Sequence, residues 1–218
     1  MINMVKDAFA EYRKAIADLR KGAAELDPRR YGTDLIREKR AALAESIIQR
    51  VQAQVPKVEG QVQKVREQSK TNPGNDFSKW LYYSMEAIRI LKPDNPQEMI
   101  EAVRRMDADV TAVEEYRKIA VPLFEQNGLH RSEIERELNA KLPPEVQESL
   151  RALARAETYY VAVSAEASYL IEGVTDWQSD DRWDRVELAE NHLSREGALE
   201  QIEHDANHEA SLAVAQTE

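Results

Sequence analysis

The chain has 218 residues, of which 42% are hydrophobic and 32% charged, with a formal net charge of -10 and no cysteine. Disulfide frameworks, cysteine-based metal sites and thiol nucleophiles are thereby excluded, and the acidic balance argues against non-specific nucleic-acid binding while suiting a solvated surface or a basic partner. Only 7 glycines, 8 prolines and 6% aromatic residues point to a helical chain with an aliphatic, alanine-lined core.

The first segment is the most regular. Ile2, Val5, Phe9, Tyr12, Ile16, Leu19, Ala23 and Leu26 recur at alternating spacings of three and four, a heptad seam that needs a covering partner. Asp27-Pro28 ends it, because a residue before proline is pushed out of the helical region. A Tyr31-Gly32 turn follows, and a second helix is expected from Thr33 or Asp34, either of which can cap it. Its apolar positions are Ile36, Leu43, Ile47, Val51, Val55, Val58, Val62 and Val65, with Arg40 standing where the seam calls for an apolar residue. Pro56 falls inside this pattern and is expected to kink the helix rather than end it, since the seam continues beyond it.

The segment TNPGNDF at 71–77 carries turn chemistry and a cap at Asp76, so a domain boundary is expected there, between a helical hairpin at 1–70 and a helical bundle at 71–218. The bundle opens with the aromatic-rich SKWLYYSMEAIRILK. Asn95 then caps a helix with Pro96 at its first position, whose seam runs through Met99, Val103, Met106, Val110, Val113 and Ala120, interrupted by Arg117 and distorted near Pro122. SEIE at 132–135 reads as a capping box. Pro143-Pro144 start a long helix that TDWQSDD breaks, and a last helix runs from about Arg182, weakened at Gly197. The fold class is all-α, a long-helix hairpin plus a helical bundle with coiled-coil-like seams and about six to eight helices. No stretch approaches the roughly 18 apolar residues of a membrane span, and the opening MINMVKDAFAEYRKA lacks the apolar core of a secretory signal.

Three groups of residues could carry chemistry. His204 and His208 lie four apart on one helix face with Glu200 a turn earlier, a spacing used by zinc sites. Asp205, however, stands where a zinc peptidase places its catalytic glutamate, and a solvated Glu/His face accounts for the pattern as well. Asp176, Asp180, Asp181 and Asp184 gather around Trp177 and Trp183. They could hold calcium, but the EF-hand spacing and its loop glycine are missing, which favours an acidic turn with the tryptophans docked on the core. Arg29, Arg30 and Tyr31 stand at the hairpin turn, where they could meet phosphate or an acidic partner. No phosphate-binding glycine loop or local nucleophile triad is present, so neither a cofactor nor a small-molecule substrate is expected.

The segment YGTDLIREKR, a Tyr-Gly turn leading into a charged helix, resembles a recurring feature of small helical structural proteins of tailed bacteriophages. The resemblance covers residues 1–70. It implies a virion or virion-assembly role and carries over no catalytic residue. The expected function is therefore a non-enzymatic structural or assembly protein, located in a virion or host cytoplasm, whose partners are itself or other virion proteins. The alternatives are a soluble cellular adaptor or regulatory protein and, third, a metal-binding helical protein. If the second helix pairs with the first from the hairpin tip, Val55, Val58, Val62 and Val65 overhang it as an apolar stripe. That stripe, with Arg29, Arg30 and Tyr31, is the expected partner-binding surface.

Overall fold

The computed structural model describes residues 1–69, 76–91 and 95–214. Among them are ten α-helices and no strand: α1 (Ile2–Ala24), α2 (Thr33–Gln52), α3 (Val55–Gln68), α4 (Phe77–Ile90), α5 (Pro96–Arg105), α6 (Val110–Gln126), α7 (Arg131–Ala140), α8 (Pro144–Asp180), α9 (Asp184–Ser194) and α10 (Ala198–Leu212). The all-α class holds, with more helices than the six to eight expected. They form two compact units, one of Met1–Lys64 with Ala156–Ala206, the other of Val65–Arg155 with Asn207–Glu218. The units thus divide the chain differently from 1–70 and 71–218, because the later half of α8 and α9 pack with the N-terminal hairpin.

In the first unit the heptad seam of α1 is the core. Val5, Phe9, Tyr12, Ile16 and Leu19 are all buried, with Ala8 and Ala15 beside them. They share one cluster with Ala44, Ile47 and Val51 of α2, Val58 of α3, Val163, Leu170, Val174 and Trp177 of α8, and Val186, Ala189 and Leu193 of α9. Polar contacts set the register. The Tyr12 hydroxyl donates to the Val163 carbonyl at 3.3 Å, and Arg13 donates to the Leu193 carbonyl at 3.0 Å. Burial, then the Glu166 carboxylate, push the Tyr12 phenol up, which keeps it a donor. Across the hairpin Arg50 pairs with Asp18 at 2.7 Å and with Glu11 at 3.7 Å.

Arg40, the misfit of the second seam, lies over the Trp177 ring at 5.3 Å and pairs with Asp181 at 2.9 Å. A cation on an aromatic face fills the place of an aliphatic side chain. Gly173 of α8 lies where a Cβ would come within 2.9 Å of the Val186 backbone nitrogen, so only glycine allows α9 to start so close.

The second unit has its own core: Tyr83 and Ala87 of α4, Met99 and Val103 of α5, Ala112, Val113, Tyr116, Ala120 and Phe124 of α6, and Ile134 and Leu138 of α7. α6 is central, packing against α4, α5 and α7. Its N-terminus is capped by Asp109, whose carboxylate accepts from the amides of Thr111 and Ala112.

Several boundaries differ from expectation. Gly32, not Thr33 or Asp34, is the N-cap of α2, and no side chain bonds there. Pro56 does not kink one helix. α2 ends at Gln52 and α3 restarts at Val55, which puts the proline in a first turn, where no amide donor is needed. The expected single helix beyond Pro96 is divided by the Asp109 cap. α7 starts at Arg131, so Ser132 is inside the helix and no box forms. α8 runs through TDWQSD and stops only at Asp181, whose φ of 58° is left-handed. The last helix is split at Gly197, with φ of 81°. Asp76 and Asn95 cap α4 and α5 as expected, whereas the turn at 71–75 lies outside the described residues.

Candidate functional site

The hairpin tip presents its charges. Arg29 and Arg30 are exposed, and Arg30 approaches Asp27 at 3.8 Å. Tyr31 is half-buried with the Lys39 ammonium 5.2 Å from its ring centre. Beside the hairpin turn, Arg20, Leu26, Pro28, Ile36, Arg40 and Trp177 line a cleft of about 430 Å³. Its guanidinium groups are already engaged, Arg20 with Glu190 at 2.5 Å and Arg40 with Asp181.

The expected overhang is not a free surface. Val58 and Val62 are buried, at 1% and 3% exposure, and Val55 and Val65 are half-buried. Val58 belongs to the same core as Phe9 and Tyr12. Val58 and Val62 are thus covered within the chain and need no second subunit.

The metal candidates do not converge. His204 and His208 are both exposed, and the nearest charged group to His204 is the adjacent Asp205 at 3.5 Å. Among the described residues no group of three or more His, Asp or Glu side chains is arranged to hold a metal ion. The acidic cluster is dispersed by arginines, with Asp176 on Arg185 at 3.4 Å, Asp181 on Arg40 and Asp184 on Arg182 at 3.4 Å. Trp177 is in the core and Trp183 packs against it.

The surface that stands out is on α4, which sequence reasoning passed over. Six of the eleven large hydrophobic residues exposed among the described ones lie on this one helix: Phe77 (69%), Trp80 (39%), Leu81 (43%), Tyr82 (59%), Met85 (64%) and Ile88 (69%). Phe77, Leu81, Met85 and Ile88, spaced four, four and three, form a stripe along one face. Trp80 flanks it, stacked on Phe77 with ring centres 5.4 Å apart.

Polar contacts fix the rotation of α4. Tyr83 and Ala87 enter the core of the second unit. The Ser84 hydroxyl donates to the buried Glu115 carboxylate at 2.6 Å, Lys79 pairs with Asp109 at 3.1 Å, and the Tyr83 hydroxyl donates to Asp107 at 3.4 Å. Burial acts to raise the Asp109 carboxyl, but Lys79 and the two capping amides outweigh it and hold the group below its ordinary range. These anchors sit on the α6 side and leave the apolar edge facing outward. Beside α4, a cleft of about 560 Å³ is lined by Glu86, Glu98 and Glu101 together with Arg89 and Arg105. Three carboxylates stand there against two guanidinium groups, so opposite charges are mixed along its wall.

The sequence held a signal for α4. Phe77, Leu81, Met85 and Ile88 on one face, with Tyr83 and Ala87 on another, are more apolar positions than a helix packed on one side requires. No helix among the described residues is long and apolar enough to cross a membrane, so the excess does not mark a span.

No protein-family model matches the chain, and no curated protein or solved structure matches it.

Proposed function

We propose that this chain is a non-enzymatic assembly protein that works through helix-to-helix contacts, and that the assembly is a bacteriophage particle. The observation that carries the first part is the exposed apolar face of α4, held outward by Ser84–Glu115 and Lys79–Asp109. Contiguous apolar surface beyond a few hundred Å² marks an interaction site, and aromatic residues with methionine are enriched at the centres of interfaces. The phage setting rests on the resemblance of residues 1–70. The hairpin tip with Arg29 and Arg30 is a second contact point for an acidic surface, in keeping with its exposure.

The test is incorporation. Purified particles from the source are digested and searched for this chain by mass spectrometry, and the genes flanking its own are read. The chain in particles, beside capsid, portal or tail genes, supports the reading. A gene among cellular operons and a chain absent from particles would instead favour a cellular adaptor and overturn the phage setting.

A further inference from the structure

We infer that the α4 face is a two-fold interface, on which a second copy of this chain docks its own α4 antiparallel. The inference deepens the assembly reading and rests on it only for the biological setting.

The first argument is self-complementarity. A two-fold axis between Tyr82 and Tyr83 brings each position i opposite 165 − i on the partner. Phe77 then meets Ile88 and Trp80 meets Met85, so four exposed apolar side chains of each copy cover one another, with the two copies of Leu81 flanking the axis. An interface made of one patch twice has a two-fold axis whether the helices run parallel or antiparallel, but a parallel pair would set Asp76 on Asp76 and Arg89 on Arg89.

The second argument is charge. The same operation sets Asp76 at the N-terminus of one α4 against Arg89 in the last turn of the other, at both ends of the pair. Both residues are exposed, and Arg89 is the basic residue of the last turn. Antiparallel helices also place each N-terminal positive end beside a C-terminal negative one.

The third argument is area. At about 200 Å² for a fully exposed large side chain, the exposures of Phe77, Trp80, Leu81, Met85 and Ile88 amount to roughly 570 Å² per copy. A standard interface buries about 800 Å² per partner. The apolar face alone supplies most of what a stable dimer needs.

The absence of cysteine makes the register testable in the full-length protein. Helical rise places the two copies of position 81 about 4.5 Å apart along the axis and the two copies of position 77 about 16 Å apart, whereas a disulfide needs Cα atoms within about 7 Å. Single variants Leu81→Cys, Phe77→Cys and Ile88→Cys are oxidised at a concentration where sedimentation equilibrium measures dimer. We expect rapid cross-linking of Leu81→Cys, little of Phe77→Cys or Ile88→Cys alone, and mixed dimers when those two are combined. Met85→Asp should raise the dimer dissociation constant by about 100-fold or more, with unchanged circular dichroism. Asp76→Asn keeps the cap and, paired with Arg89→Gln in a double-mutant cycle, should show a coupling of roughly 3- to 10-fold across the two symmetric contacts.

Phe77→Cys cross-linking to itself as fast as Leu81→Cys overturns the antiparallel register. A wild-type monomer at about 100 μM overturns the dimer. If the chain is nonetheless found in particles, the assembly reading stands and the α4 face belongs to a different partner. A dimer with the expected register but no chain in particles leaves this inference standing and removes the phage setting.

Discussion

The two units treat apolar surface in opposite ways. In the first, the heptad seam is buried within the chain from Val5 to Leu19, as are the Val58 and Val62 positions of α3. In the second, α4 is a short helix with apolar residues on two faces, and only Tyr83 and Ala87 are used for the core. Periodicity alone does not separate surface kept for a partner from surface kept for folding. A regular seam invites the cover that a later part of the same chain provides, while the apolar second face of α4, a helix already anchored, has no claimant among the described residues.

The largest effect that should separate the units is a charge in each apolar stripe. Phe9→Asp and Val58→Asp should each destabilise the folded chain by about 3–5 kcal/mol, as burying an unpaired charge does, measured by urea unfolding followed by circular dichroism. A mild Val58→Asp would break the contrast, because it would return that stripe to the surface. Next in size, Gly173→Ala should cost about 1–3 kcal/mol, since a Cβ there meets the α9 backbone rather than a flexible side-chain end. A neutral Gly173→Ala would mean that α9 can move away freely.

A smaller effect should appear at low pH. The Arg104 guanidinium, hydrogen-bonded to Glu137 at 2.6 Å, holds that carboxyl below its ordinary range. A carboxyl depressed in the folded state contributes stability above its unfolded pKa, near 4.3, and loses it as pH falls through the folded value. Glu137→Gln should lower the melting temperature at pH 7 and shrink the loss between about pH 5 and pH 2. An acid limb identical to wild type would remove this pair from the stability of the second unit.

The smallest effects concern the exposed groups. Met85→Asp and Ile88→Asp should shift subunit stability, measured below the dimer concentration, by no more than about 0.5 kcal/mol, however strongly they act on association. The double change His204→Ala with His208→Ala should be equally silent by the same measurement, and stoichiometric zinc in the purified wild type would show instead that this helix face holds a metal. A large loss from Met85→Asp in the monomer would place the α4 face in the core and end the comparison.

Much of this was legible in the residues. The α1 seam, the hairpin turn at Asp27-Pro28, and the caps Asp76 and Asn95 follow from local rules whose partners lie within a few positions. The break at Pro56 was visible but misjudged: proline ends one helix as readily as it kinks it when a new first turn can take it. The Asp109 cap lay in the sequence too, hidden by a seam that continued across it. For the candidate site the residues named first were those with unusual local chemistry, Arg29, Arg30 and the His204/His208 pair. The α4 face was missed because aromatic composition reads as core until a neighbour is known.

The amino-acid sequence by itself determined the all-α class and the identity of the N-terminal seam, because helix period, caps and breakers act over one or two turns. Only the tertiary structure decided that Val58 joins the core shared by α1, α8 and α9, that Trp177 and Asp181 engage Arg40, and that Phe77, Leu81, Met85 and Ile88 face outward. Those outcomes depend on which elements far apart in the chain come together. A periodic pattern states how much surface must be covered; the residue that covers it is chosen by long-range packing, which no local spacing encodes.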